Sequence, residues 1–195
     1  MKKSLYSVVA VVFVLATLVS GFAQSVSTPS IPVTATIGSQ NSINVTISKI
    51  VNTTWSAASS IAFGTLTYNS TYSIFTAPSY YALDVAVASN ANSWTVTHTA
   101  NSINDGNGNT LDSNINVGFV RQTGNTTYSN LTNGYVSYAN SNAKSYTSTQ
   151  LSGGWLRIYY GLGDGNGDYT GVTPVTTSKP AGNYTGSVVL TLTTS

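Results

Sequence analysis

The chain has 195 residues, 41% of them hydrophobic, enough for one domain with a sizeable core. Charged residues make up only 6%, against a usual share of about 25%, and all five acidic residues are aspartates. This balance excludes the basic footprint of a nucleic-acid or anionic-membrane binder, and the absence of cysteine excludes disulfides, thiol nucleophiles and a lipid-carrying thiol.

The chain opens with Lys2 and Lys3, continues with an apolar run over residues 8–19, and then reaches the small-residue pattern Gly21, Phe22, Ala23. This pattern predicts a secretory signal over residues 1–23, cleaved after Ala23, because the apolar run is too short to span a bilayer comfortably. No later stretch is long and apolar enough to cross, so the expected location is secreted, in an extracellular filament or at the cell surface, without membrane insertion after cleavage. Once Lys2 and Lys3 are gone, Lys49, Arg121, Lys144, Arg157 and Lys179 balance Asp84, Asp105, Asp112, Asp164 and Asp168. A surface with almost no net charge lacks repulsion as a solubility device, so it needs another hydrophilic coat or is built to associate.

Residues 24–37 follow as a polar leader that runs into an alternating segment, Ile31, Val33, Ala35, Ile37, with Pro29 and Pro32 at its entry. Proline is tolerated at strand starts and edges, so the segment reads as a strand free to pair in its own domain or in a neighbour's. Residues 38–195 read as one β domain. Alternation recurs at Ile43, Val45, Ile47, then at Tyr81, Leu83, Val85, Val87, at Trp94, Val96, His98, and at Val188, Leu190, Leu192. Shorter strands are expected over residues 61–66, 115–121, 135–138 and 155–162. Turn-rich stretches lie between them, among them residues 105–109, 132–134, 163–167 and 180–182. No window past the signal has the period of an amphipathic helix. About nine strands at this spacing predict an all-β, Greek-key antiparallel β-sandwich of pilin-like or Ig-like type.

Several short motifs carry a resemblance. They are Ile61-Ala62-Phe63-Gly64-Thr65-Leu66, the Ser93-Trp94-Thr95-Val96 strand followed by Asp105-Gly106-Asn107-Gly108, and the closing Pro180-Ala181-Gly182-Asn183-Tyr184-Thr185-Gly186. In this layout the chain resembles donor-strand-exchanged subunits of extracellular filaments, the archaeal thread and bundling-pilus proteins, and more loosely the spore-coat-U-type fimbrial domains. The resemblance implies a sandwich that lacks one strand and receives it from the leader of the next subunit. The donor would be Ile31, Val33, Ala35 and Ile37, and the acceptor edge would include Val188, Leu190 and Leu192. The partner would then be another copy, joined head to tail. The same leader could equally be an ordinary first strand of its own sheet.

Asn44, Asn52, Asn69, Asn125, Asn130 and Asn183 each begin an Asn-x-Ser/Thr sequon, a glycan acceptor in an exported protein, and surface glycans would supply the missing hydrophilic coat. Asp105, Asn107, Asn109 and Asp112, and likewise Asp164, Asn166 and Asp168, place oxygen ligands at near-alternate positions, so either loop could hold calcium. Both are equally good β-turn sequences, and neither has the glycine or the bidentate glutamate of an EF-hand. The catalytic inventory is thin. His98 is the only histidine and alternates with Trp94 and Val96, which predicts a packed or edge histidine; the turn aspartates lack the burial an acid catalyst needs, and Asp84, out of phase with Leu83 and Val85, should face solvent. The chain is therefore expected not to be an enzyme. A second function class is a secreted carbohydrate-binding module, in which Trp55 and one ring each of Tyr80-Tyr81 and Tyr159-Tyr160 point outward; Trp94 belongs to the core.

Overall fold

The computed structural model describes residues 34–123, 127–152 and 155–195, apart from the side chains of 123, 127 and 128. The expected signal over residues 1–23, Ile31 and Val33 of the expected donor segment, and Asn125 lie outside the described residues. The chain divides into two units after Ile37, and Gly38–Ser195 is the one described below.

Among the described residues the second unit is all-β, with twelve strands in three sheets and every pairing antiparallel. The largest sheet has six strands: β2 (Thr54–Ala58), β1 (Asn41–Val51), β5 (Tyr80–Ser89), β10 (Trp155–Leu162), β7 (Ile115–Thr123) and β8 (Thr127–Ser137), in that spatial order. A second sheet orders β12 (Thr185–Thr194), β6 (Trp94–Asn104) and β9 (Lys144–Thr147). A small third sheet orders β11 (Val175–Thr176), β4 (Ile74–Thr76) and β3 (Thr67–Asn69). The helical content is slight: two single 3-10 turns and one α-helical turn, α1 (Ser148–Leu151), which Thr147 and Gln150 cap reciprocally.

Side chains alternate across a strand, so cross-strand partners share a face, and here the inner face of the large sheet is apolar. Val85, Leu83 and Tyr81 of β5 lie opposite Leu156, Ile158 and Tyr160 of β10, which in turn face Arg121, Phe119 and Val117 of β7. All of these but Arg121 are buried, most of them completely. Over them sit Val96 and His98 of β6 and Tyr146 of β9, with Phe119 ring centroids 5.1 Å from His98 and 5.4 Å from Tyr146. Each fully buried large side chain here contributes roughly 1.5–3 kcal/mol, and packing of this kind holds a fold that has no cysteine for disulfides.

The long strands fall where alternation predicts them, and the total rises from about nine to twelve because β2, β3, β4, β9 and β11 are only two to five residues long. Two expectations are corrected. Residues 61–66 are not a strand: Ile61, Phe63 and Leu66 are half-buried, but no neighbouring strand pairs with their backbone. The turn expected at residues 132–134 is instead an irregularity within β8, where the register slips between Gly118 and Val120 of β7. Asn133 has a positive φ of 54°, and a Cβ on Gly134 would stand 2.5 Å from the Phe119 carbonyl oxygen, so the turn-like sequence serves a bulge packed on the next strand.

Candidate functional site

The inner face is not covered everywhere. Among the described residues β12 pairs with β6 on one side only and has no strand on its other edge. Beyond that edge a groove of about 1220 Å³ runs between residues 183–188 on one wall and residues 60–66 on the other. Its floor reaches Leu83, Ile115 and Tyr160, which belong to the domain core, and its walls add Ile47, Phe63 and Val188. Val45 of β1 faces Val85 across the sheet, yet it is 38% exposed while Val85 is fully buried.

The wall at β12 is shaped by Gly186. A Cβ there would lie 2.6 Å from Ile103 and 3.0 Å from the Asn101 carbonyl oxygen, so glycine lets the bulged start of β12 hug β6. The opposite wall is held by the Tyr81 hydroxyl, which donates to the Ala62 carbonyl, and by the edge-to-face contact of Phe63 with Tyr81, 5.7 Å between centroids. Of the expected acceptor residues, Val188 lines the groove; Leu190 and Leu192 continue along the same half-buried face. Of the expected donor residues, Ala35 and Ile37 are described, both exposed and outside any strand, with Ile37 84% exposed. Gly38 and Gln40, the link to β1, are pinned by Asn90: its amide Nδ2 donates to the Gly38 carbonyl at 2.7 Å, and its Oδ1 accepts from the Gln40 N–H at 2.8 Å.

The sequons separate by position. Asn44, Asn52, Asn130 and Asn183 are exposed, and Asn69 is half-buried with its Oδ1 accepting the Thr71 N–H at 3.0 Å. Asn44 lies in β1 and Asn130 in β8, where the Asn130 Oδ1 accepts from the Tyr135 hydroxyl. Asn183 stands on the rim of the groove.

The acidic loops use their oxygens on themselves. Asp105 accepts from the N–H groups of Asn107 and Asn109 at 2.8 and 3.1 Å and from the Asn109 amide at 2.7 Å, which together hold its pKa below the usual carboxylate value. Asp112 turns away to accept the Ile103 N–H at 2.7 Å. Asp168 accepts from Asn116 Nδ2 at 2.7 Å and from the Gly165 N–H at 2.8 Å. Among the described residues no three His, Cys, Asp or Glu side chains gather as a metal set.

His98 is packed, with no exposure. Its Nδ1 is 2.8 Å from the Ser141 carbonyl, which can only accept, so Nδ1 carries the proton, and Nε2, 2.7 Å away, accepts from the Tyr160 hydroxyl. Burial lowers its pKa below 6.5, more than the Ser141 bond raises it.

Asp84 does lie on the outer face of the large sheet, but it is not free in solvent. Arg157, directly across in register, donates Nε and Nη2 to its two carboxylate oxygens, the second at 2.6 Å, and the side chains are 8% and 18% exposed. The guanidinium lies 4.7 Å from the Trp55 ring centroid and 5.9 Å from that of Tyr159. Burial disfavours the Arg157 charge, but the hydrogen bonds and charges of Asp84 and Tyr159 outweigh it and raise the pKa further. The pair escaped the sequence reading; its signal was two opposite charges, each in the outward phase of an otherwise apolar strand.

No family model, curated protein or solved structure matches this chain. No helix among the described residues is long and apolar enough to cross a membrane.

Proposed function

We propose that the protein is a structural subunit of an extracellular filament, a Greek-key sandwich short of one strand, polymerised by insertion of residues 31–37 of one copy into the groove of the next. The observation that carries the reading is the groove: a free strand edge, an unpaired segment with strand-like alternation opposite it, and core side chains at the bottom. Ile31, Val33, Ala35 and Ile37 offer an alternating apolar row to such a slot, and strand addition would satisfy the β12 edge while burying that row. At roughly 1.5–3 kcal/mol per fully buried large aliphatic side chain, the three largest supply several kcal/mol per joint. Asn90 anchors Gly38 and Gln40 where the leader joins β1, and the donor in this reading is a second copy. Head-to-tail insertion does not close on itself, so the product is a fibre. Its near-neutral surface would be coated through the exposed sequons, and no catalytic role is assigned.

Secretion of the intact protein and of a form whose mature chain begins at Gly38 tests this under the electron microscope. Intact protein should form filaments and the shortened one none, while the latter remains folded or becomes soluble on addition of the missing peptide. Filaments from the shortened form, or a persistent monomer from the intact one at high concentration, overturn the proposal.

A further inference from the structure

The face of the large sheet opposite the groove carries a second concavity. Tyr80 of β5 and Tyr159 of β10 point outward from strands whose next residues, Tyr81 and Tyr160, are buried, and with Tyr169 they line a cleft of about 290 Å³. Asp164, Asn166 and Asp168 form its polar side. The third ring is placed by construction. Asn116 of β7 accepts the Tyr169 N–H at 2.8 Å and donates to Asp168 at 2.7 Å, tying the loop to the sheet. Gly118 leaves room above β7 for the Tyr169 hydroxyl and the Tyr135 ring, each of which would stand 3.2–3.3 Å from a Cβ there, and the two rings lie 4.8 Å apart. From Tyr159 the aromatic surface continues over the Arg157 guanidinium to Trp55, which is 44% exposed.

We infer that this outer-face cleft binds a neutral glycan, with Tyr80, Tyr159 and Tyr169 stacking on sugar rings and Asp164, Asn166 and Asp168 bonding hydroxyls. A pyranose presents a patch of C–H groups that packs on an aromatic face and a rim of hydroxyls that need donors and acceptors. A small concave site with aromatic walls and a few converging polar groups meets both needs. The formal charge on the cleft is negative, from Asp164 and Asp168, and the guanidinium alongside is engaged by Asp84, so a uronate or phosphorylated sugar would be repelled. Holding the Tyr169 loop to β7 in advance reduces the ordering cost of binding. The inference does not rest on the filament reading, because none of these side chains belongs to the groove except Tyr160 and Leu162, which form the sheet between the two faces.

The test is saturation-transfer NMR of the secreted protein with maltohexaose, cellohexaose, mannohexaose and chitohexaose, and with hexagalacturonate as the anionic probe. Saturable binding of at least one neutral probe at millimolar concentration, with none of hexagalacturonate, is the expected result. Tyr80→Ala and Tyr159→Ala should each weaken it roughly two- to tenfold, while Tyr159→Phe, which keeps the ring, leaves it within about twofold. Silence from all four neutral probes, equal binding of hexagalacturonate, or unchanged affinity in Tyr80→Ala/Tyr159→Ala overturns the assignment. Loss of filaments in the shortened protein bears on the groove alone and leaves this result unchanged.

Discussion

Phe119 and Phe63 line the same interior and meet opposite fates. Phe119 sits under β6 and β9, wholly buried, with His98 and Tyr146 against its ring. Phe63 touches Tyr81 edge-on but stays half-exposed at the groove, since no strand of the described chain lies over it. Both belong to segments with the alternation of a half-buried strand. The pattern says which side chains want cover; whether they receive it depends on a strand that can come from elsewhere.

Truncation should expose that difference most sharply. Phe119→Ala in the sealed half should cost about 3–5 kcal/mol in urea unfolding, performed at concentrations too low for assembly, because the cavity lies among side chains that cannot collapse around it. Phe63→Ala should cost much less under the same conditions and act on assembly instead. Equal losses would mean that the groove is closed in the free protein and that the contrast is lost.

The outer face supplies the next effect. Asp84→Asn leaves the Arg157 guanidinium covered by Trp55 and Tyr159 with its carboxylate partner gone, and removing one partner of a buried pair costs about 3 kcal/mol or slightly more. A change below about 0.5 kcal/mol would place the pair with ordinary surface ion pairs, which is where its position on an outward face would put it. A smaller gain is expected in the groove: a peptide of residues 24–37, added to the shortened protein at a hundred times its Kd, should stabilise it by about 2.7 kcal/mol, and the peptide with Ile31→Asp and Val33→Asp should not. Equal stabilisation by both peptides would show that the groove does not read the alternating row.

How far this architecture was legible follows the range of the interactions. Local alternation placed β1, β5, β6 and β12 and put one ring of each tyrosine pair outward; the structure shows Tyr81 and Tyr160 to be the buried ones and His98 to be packed. It misread residues 61–66, with which no described strand pairs, and residues 132–134, whose Asn-Gly chemistry serves a bulge against Phe119 as readily as a turn. The Asp84–Arg157 pair joins residues 73 apart in the chain, and the groove is a relation among residues near 47, 63 and 186. Neither can be seen until strand order is known, since composition and period describe one strand at a time.

The smallest effect concerns acid. In the folded chain both ring nitrogens of His98 are satisfied in the neutral form, and protonating Nε2 would set a donor against the Tyr160 hydroxyl in a site with no exposure to water. The unfolded chain takes up that proton near pH 6.5, while the folded chain, with its pKa lowered by burial, resists until lower pH. The contribution of neutral His98 is therefore complete above pH 6.5 and declines as the pH falls from there toward the folded value, with a slope of at most about 1.4 kcal/mol per pH unit. The midpoint of urea unfolding should therefore fall between pH 7 and pH 5 in the natural sequence and stay nearly level in His98→Phe, whatever that substitution does to the baseline. An equal fall in both would assign the acid sensitivity to another group. Because His98 lies in the sealed half and the proposed leader site is in the open one, the stabilisation by the peptide of residues 24–37 should be the same at both pH values; a change in it would show that the two halves are coupled, with Tyr160, which meets His98 and also lines the groove, as the link.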